Sequence, residues 1–309
     1  LPLKPEIIGL GEIAFDWVNE IPHFPQPDEK IDAISQNFFV GGVTANFLAD
    51  CAKLGAKAGF LGAVGNDEYG KFLLDGLKKN GVDSTCTLKK SGTSSAVNFI
   101  MVAKDSGEKI IIQSPYLQKT QLDVADIKKD YFSNAKILHT TAIHTDLALR
   151  GIEIARERGM LVSFDLEKQI AIRGVDVLKP VIEGVDILLP NKEGAKTLTV
   201  EADIRDAART LLSWGPKIVI MTLGADGCLI ITENDEQQIP AYKVDVVDTT
   251  GAGDAFCAGF IVGHVINGME ITDAAGIANA VAACKVQHLG ATSGVPTWKE
   301  AMEFRANHD

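Results

Sequence analysis

Val246-Val247-Asp248-Thr249-Thr250-Gly251-Ala252-Gly253-Asp254-Ala255-Phe256 is the stretch on which the reading of this chain turns. A β-favouring segment, Tyr242 to Val247, leads into residues without bulk, then one carboxylate, then a long run patterned as a helix. Small residues leave the backbone N–H groups of Gly251, Ala252 and Gly253 facing open space. They lie at the positive end of the following helix dipole, which makes an anion site. Asp254 stands at the rim of that site. An anion cradle beside a base is what transfer of a phosphoryl group to an alcohol needs. On these residues alone, close packing of a helix on a sheet, with Asp254 as a cap, is the competing explanation.

The full run is far more specific than a bare G-x-G. It resembles the D-T-x-G-A-G-D signature of the ribokinase-like (PfkB) carbohydrate kinases. That resemblance implies an α/β fold of three layers, α/β/α, with a mostly parallel central sheet and a small antiparallel β lid. It implies ATP and Mg2+ as cofactors, Asp254 as the catalytic base, and the amides of Gly251, Ala252 and Gly253 as an anion hole. A monovalent cation such as K+ is implied at Asp248 and Thr250, helped by the loop Gly290 to Pro296, where Ser293 is offset by one from the usual position. Taken as an ordinary aspartate, Asp254 has a pKa near ~3.9 and is an always-ionised base.

Bulk properties agree with an enzyme of small molecules. The 309 residues suffice for one large α/β domain, and 46 % apolar content supplies a core. A net charge of −11 argues against a binder of nucleic-acid backbones. No apolar run approaches the ~18 residues of a membrane span. The opening Leu1-Pro2-Leu3-Lys4-Pro5 lacks the apolar core of a signal peptide. Five scattered cysteines form no C-x-x-C pair, and no Asn-x-Ser/Thr site occurs, so a cytoplasmic location is expected.

Two glycine patterns are decoys. Gly9-Leu10-Gly11-Glu12-Ile13-Ala14 matches a dinucleotide fingerprint, which requires a helix at once. Pro22, Pro25 and Pro27 follow instead, and no helical period begins at Asp16. The same stretch matches the family's Gly-Glu followed by an Asp that binds substrate hydroxyls, here Gly11, Glu12 and Asp16. Gly65-x4-Gly70-Lys71 nearly spells a P-loop, but Phe72 stands where Ser or Thr must hold magnesium. It is assigned a structural turn.

Lys30 to Val40 reads as a strand that meets Gly41-Gly42-Val43-Thr44-Ala45-Asn46, with a helix from Asn46 to about Leu54. This is similar to the family's G-G-x-x-x-N sugar-binding motif, which implies substrate contacts from Gly41, Gly42 and Asn46; an N-cap role for Asn46 is the alternative. Strands at Ser94–Val102 and Lys109–Gln113 flank a turn, and with the Asp16–Val40 segment they predict the small sheet. The lid thus takes about 16–40 and 94–114 out of a single domain spanning 1–309. The resemblance implies that this sheet covers the sugar and joins a homodimer. Asn98 alternates with apolar residues and faces either substrate or water.

From Asp123 onward the rhythm is βαβ. His139, His144 and Asp165 fall near strand ends, and none sits in a metal-ligand pattern. Pro190-Asn191-Lys192-Glu193-Gly194 is similar to the family's N-x-x-E, which implies Asn191 on the phosphate side. The acid is Glu193, one place early, and Gly194 occupies the usual position, so the magnesium role of Glu193 is a departure from the pattern. Thr222-Leu223-Gly224-Ala225-Asp226-Gly227 resembles the T-x-G-x-x-G nucleotide loop, with Thr222, Gly224 and Gly227 as contacts; a plain β-turn explains the same residues. Asn279 matches the adenine-contacting position.

The chain is therefore expected to phosphorylate a hydroxyl of a sugar or sugar-like molecule with ATP. Gly11-Glu12 … Asp16 favours a fructokinase or 2-keto-3-deoxygluconate kinase type, although Asp165-Leu166-Glu167-Lys168-Gln169 lacks the Asn and Arg of D-x-N-x-R. No Arg or Lys is placed for an acid sugar, and only Lys89 and Lys90 offer themselves to a sugar phosphate. A nucleoside kinase is the runner-up, a non-catalytic sugar or nucleotide sensor the alternative from another class, and a dehydrogenase is weakened by the prolines.

Overall fold

The computed structural model describes residues 4–308; Leu1–Leu3, most of the opening stretch read above, lie outside them. Among the described residues fourteen strands follow in chain order: β1 (Ile7–Leu10), β2 (Ala14–Ile21), β3 (Ser35–Gly41), β4 (Ala58–Leu61), β5 (Ala63–Gly65), β6 (Leu88–Lys90) and β7 (Val97–Ala103). Then come β8 (Lys109–Ile112), β9 (Ile137–Thr140), β10 (Leu161–Leu166), β11 (Ile187–Pro190), β12 (Ile218–Thr222), β13 (Cys228–Thr232) and β14 (Glu236–Ile239). Eight of them make the central sheet in the order β14-β13-β12-β11-β10-β9-β1-β4. Pairing is parallel from β4 to β12 and antiparallel across β12, β13 and β14.

Alternation along these strands feeds two cores. Ile7, Ile137, Ile187, Leu189 and Ile220 point to one face, Ile8, Leu138, Leu188, Val219 and Met221 to the other. Strands buried on both faces read as continuous apolar runs, which is the signature of a sheet covered by helices on each side. The first core is closed by α1 (Val43–Lys53), α2 (Glu68–Lys79) and, late in the chain, a helix at Ala252–Ile261 followed by Ile271–Val286 and Trp298–His308. The second is closed by α3 (Thr145–Glu157), α4 (Val175–Ile182), α5 (Lys192–Thr199) and α6 (Ile204–Ser213). We label the three late helices α7, α8 and α9 in that order.

The lid is a separate four-stranded sheet, β3-β2-β7-β8. Its outer ladders are antiparallel and the central β2–β7 ladder is parallel. Register sets what each face carries: Asp16 pairs with Phe39 and Asn98, and Trp17 with Phe38 and Phe99. Side chains alternate by two, so Asp16 and Asn98 share one face and the aromatic row shares the other.

The β-favouring run Tyr242–Val247 forms no strand. Val246 and Val247 are exposed, and the Val247 and Asp248 N–H groups both donate to the Val286 carbonyl at the end of α8 (2.8 and 3.0 Å). Their strand propensity meets no partner strand, and the central sheet ends at β14, which closes at Ile239. The strand β14 itself, Glu236–Ile239, is too polar to have stood out. Helix α1 begins at Val43 rather than Asn46, with Gly42 at φ 99° as its cap.

Candidate active site

Helix α7 opens on Gly251, whose φ of 75° is left-handed and whose missing side chain lies against the Ala291 backbone. Any other residue there meets both obstacles. The Ala252 N–H turns back to the Thr249 carbonyl (3.1 Å), so it does not serve the cradle. The N–H groups of Gly251, Gly253 and Asp254 have no partner among the described residues, and the space where a Gly253 side chain would stand is empty. An open, positively polarised pocket results.

Two anchors hold this loop. Asp248 Oδ1 accepts from the Thr250 N–H (2.9 Å) and hydroxyl (2.7 Å), and Oδ2 accepts from the Gly290 N–H (2.9 Å). Lys285, fully buried on α8, donates from Nζ to the Asp248 carbonyl (2.8 Å). Burial resists the Asp248 charge, but the bonds from Thr250 and Gly290 keep its carboxyl below the usual range.

Asp254 is 6 % exposed, and its Oδ2 accepts from Asn46 Nδ2 at 2.9 Å. Residues 208 positions apart meet here, so the start of α7 and the first turns of α1 share one spot. Asn46 lies inside α1 rather than capping it. Burial, the Glu167 charge and the Glu12 charge push the Asp254 carboxyl up to about 8, against the pull of Asn46 and Lys285. The expectation of an always-ionised aspartate near ~3.9 is therefore corrected: a low-dielectric setting among like charges favours the neutral form.

The carboxylates that do this were partly missed. Glu12 follows β1, buried, and accepts from Thr44 (3.2 Å) and Thr141 (2.7 Å). Asp165 is the penultimate residue of β10 and Glu167 follows the strand. Burial raises all three; Glu167 further raises Asp165, and Glu12 further raises Glu167. The carboxylates of Asp165 and Glu167 have no hydrogen-bond partner among the described residues. In sequence, Asp165 to Gln169 stands out only for lacking the Asn and Arg of D-x-N-x-R, which gives no sign that this turn closes on Asp254.

On the lid, Asn98 Nδ2 donates to Asp16 Oδ1 (2.9 Å) while its Oδ1 accepts from the Ser114 N–H (3.0 Å), which fixes the amide's orientation. Burial lifts the Asp16 carboxyl to about 6 against the Asn98 bond. Gly41 is glycine because its missing Cβ would overlap the Asp16 carboxylate, and Gly42 because its backbone runs against Ile13 and Glu12. Gly11 lets the Thr44 side chain of α1 pack on the end of β1, so its place is structural.

The remaining assignments separate. Asn191 caps α5, its Oδ1 accepting from the Gly194 N–H (2.6 Å). Glu193 is exposed, and its charge contributes to none of the clustered carboxylates. A side chain at 194 would strike the Leu166 carbonyl and crowd Glu167. The helix can approach β10 this closely only as glycine, so the acid of the family pattern has no room there. Thr222 ends β12, Gly224 (φ 63°) and Gly227 (φ 88°) shape the turn after it, and Asn279 Nδ2 donates to the Ile239 and Pro240 carbonyls (3.3 and 3.0 Å). These line the end of the sheet beyond β11 and β12. Lys90 is engaged by the Gln121 carbonyl and Asp123, away from the lid sheet. His139 is a core residue, stacked on Phe47 at 3.7 Å and bonded to Ser163, and burial holds it at about 3. Among the described residues no three His, Cys, Asp or Glu side chains form a group able to hold a metal by themselves.

Comparison with known proteins gives a concordant result. The family model for pfkB family carbohydrate kinases matches residues 4–298. A 5-dehydro-2-deoxygluconokinase of Clostridium perfringens is 29 % identical, over 97 % of this chain and 93 % of that protein. A ribokinase of Haemophilus influenzae is 30 % identical, over 98 % and 99 %. The crystal structure of a ribokinase from Thermotoga maritima superposes with a TM-score of 0.85 at 30 % identity, covering 98 % of this chain and all of that one.

Proposed function

Because this chain belongs to the pfkB family of carbohydrate kinases, and so transfers phosphate from ATP to a sugar-like hydroxyl, we propose that Asp254 is its base and that the pocket beside it receives the phosphoryl group. The observation that carries this reading is the Asn46–Asp254 hydrogen bond, which joins the sugar-side helix to the phosphate-side helix. The acceptor hydroxyl sits between Asp16, Gly42 and Asn46 on one side and Asp254 on the other. Its proton passes to Asp254 as its oxygen attacks the γ-phosphorus, and the free N–H groups of Gly251, Gly253 and Asp254 take the growing charge. Closure of the lid excludes water, the competing acceptor.

ATP would lie along Thr222, Gly224 and Gly227, with Asn279 setting the wall of its base site. Mg2+ brought with the nucleotide supplies charge against the phosphate oxygens. Asp165 and Glu167, unpartnered carboxylates beside Asp254, are the groups that would hold its water shell, in place of the exposed Glu193. A monovalent cation is assigned to the Asp248–Thr250 loop.

Three acids beside the base, with no Arg or Lys bonded to any of them, favour a neutral sugar over a sugar acid or sugar phosphate. The outer lid face exposes Phe38, Phe99 and Ile112 around Trp17, a patch suited to a second copy of the chain, and light scattering that finds only monomer at micromolar protein would remove the dimer. Five unpaired cysteines suit a reducing compartment such as the cytoplasm, and no helix among the described residues is long and apolar enough to cross a membrane. The test is ATP consumption against free sugars, sugar acids and nucleosides: turnover with a neutral sugar is expected, and turnover only with nucleosides replaces the acceptor class. ATP binding with no turnover on any acceptor supports a sensor instead.

A further inference from the structure

We propose that the monovalent cation assigned to the Asp248–Thr250 loop is the chain's own: the ammonium of Lys285, near the end of α8, takes the place of an ion from solution, and the enzyme needs no K+. The proposal rests on the kinase reading above and deepens it, because it concerns what holds the anion cradle in shape.

The first support is the supply of oxygen ligands. A K+ ion entering a protein exchanges its hydration shell for oxygens of the chain. Here the oxygens of Asp248 and the Thr250 hydroxyl are already engaged. The Asp248 carbonyl accepts from Lys285 Nζ at 2.8 Å. Its Oδ1 is taken by the Thr250 N–H and hydroxyl, and its Oδ2 by the Gly290 N–H. The Thr250 hydroxyl, its proton committed to Asp248, also accepts from Nζ of Lys109 on lid strand β8 (2.7 Å). A further cation at this loop would meet two ammonium groups, and like charges so placed repel.

The second support is the lysine itself. Lys285 is fully buried, which is rare for a lysine unless its charge is held. Its hydrogen bond ends on a main-chain carbonyl, the kind of oxygen that K+ takes, rather than on a carboxylate. Asp50, on α1, belongs to the same arrangement. It is 1 % exposed, and neither of its carboxylate oxygens has a hydrogen-bond partner among the described residues. Burial works against the charges of both Lys285 and Asp50, and each favours the charged form of the other. A buried carboxylate that bonds to nothing thus gains a reason for its place.

The third support is mechanical. Two successive residues of α8 grip Asp248 by its main chain: the Val286 carbonyl accepts from its N–H (3.0 Å), and Lys285 Nζ donates to its carbonyl. The next turn of chain presents the N–H groups of Gly251, Gly253 and Asp254. An ion that comes and goes leaves that turn adjustable, whereas a tethered ammonium sets the donors in advance of the reaction. Lys285 acts through Asp248, so it is a positioning residue.

The test compares KCl, NH4Cl and tetramethylammonium chloride at matched ionic strength, read by kcat and by melting temperature. Wild type is expected to give one melting temperature, and kcat values within about twofold, in all three salts. Lys285→Ala is expected to lower kcat by about 10²-fold, with a smaller change in KM for ATP, because the amides lose their position. In that variant KCl or NH4Cl should restore kcat about tenfold and raise the melting temperature, since a small cation binds in the vacated space, and tetramethylammonium should do neither. Lys285→Met, which fills the space without charge, should be impaired and indifferent to K+. Wild type that K+ stimulates several-fold, or protects from heat where tetramethylammonium does not, overturns the proposal. So does a Lys285→Ala protein that no small cation rescues, or a Lys285→Met protein with full kcat. If the variants fail to fold, the wild-type comparison decides alone. Wild type that turns over no acceptor in any salt overturns the kinase reading, while its melting temperatures in the three salts still decide the role of Lys285.

Discussion

Two helices of this molecule follow turns that carry glycine, and their N-termini have opposite fates. At α2 the Asp67 side chain fills the terminus, accepting from the Gly70 N–H (2.7 Å), the Ser95 N–H (2.8 Å) and the Ser95 hydroxyl (2.7 Å). Burial works against the Asp67 charge, but these bonds win and hold its carboxyl below the usual range. At α7 no side chain caps the helix, the N–H groups of Gly251, Gly253 and Asp254 stay unpaired among the described residues, and Gly253 faces empty space. Glycines alone therefore do not make an anion site. What separates the two is whether the protein has already spent its own carboxylate on the free amides.

The sharpest way to break the comparison is to remove the carboxylate that α7 holds beside its open cradle. Asp254→Asn should lose turnover by several orders of magnitude, measured as ATP consumed with the working acceptor, yet it should melt a few degrees higher at pH 8.5. The sign follows from the raised carboxyl: its stabilising neutral form is fully present below the unfolded value near 4 and is lost as pH rises through about 8. An asparagine has no charge to bury. Equal melting temperatures at pH 8.5 would contradict the buried, self-repelling site.

Next in size is the shape of the cradle. Gly251→Ala meets both the left-handed backbone and the Ala291 carbonyl, and should lower kcat by about 10²-fold. Gly253→Ala meets nothing in the protein, so it should fold normally and raise KM for ATP instead. If both variants behave alike, the open side of the cradle has been misassigned.

The smallest effect belongs to α2. Asp67→Ala should cost roughly 1–3 kcal/mol in a denaturant titration while kcat and both KM values stay within about twofold. A matching loss of activity would mean that the Gly65–Lys71 turn is not merely structural.

How much of this was legible in sequence depends on how local the cause is. The glycine-to-helix transitions at Gly41–Asn46 and Gly251–Asp254 and the βαβ rhythm are short-range patterns, and the structure has a helix after each glycine turn, although the one after Gly42 starts at Val43 and no strand precedes Asp248. The same holds for the P-loop decoy, since Phe72 stands directly after Gly70-Lys71. Tyr242–Val247 misled because strand propensity is realised only by pairing, and only the sheet order shows that this run joins no sheet. The absence of an acid at 194 becomes intelligible only once α5 is seen against the Leu166 carbonyl. The charge state of Asp254 depends on Glu12 and Glu167, which come from distant strands, and Lys109 reaches Thr250 only through the lid's register. Such long-range convergence leaves no local trace.

The central claim is that a buried aspartate near pH 8, pulled down by Asn46 and pushed up by Glu167, sits at the mouth of the open helix. The pH dependence of kcat/KM for the acceptor reports the free enzyme's base most directly. Wild type should climb about tenfold per pH unit at low pH and level off near pH 8, and Asn46→Ala should move that limb to higher pH. A profile that is flat from pH 5 to 9, in wild type and variant alike, would contradict the account.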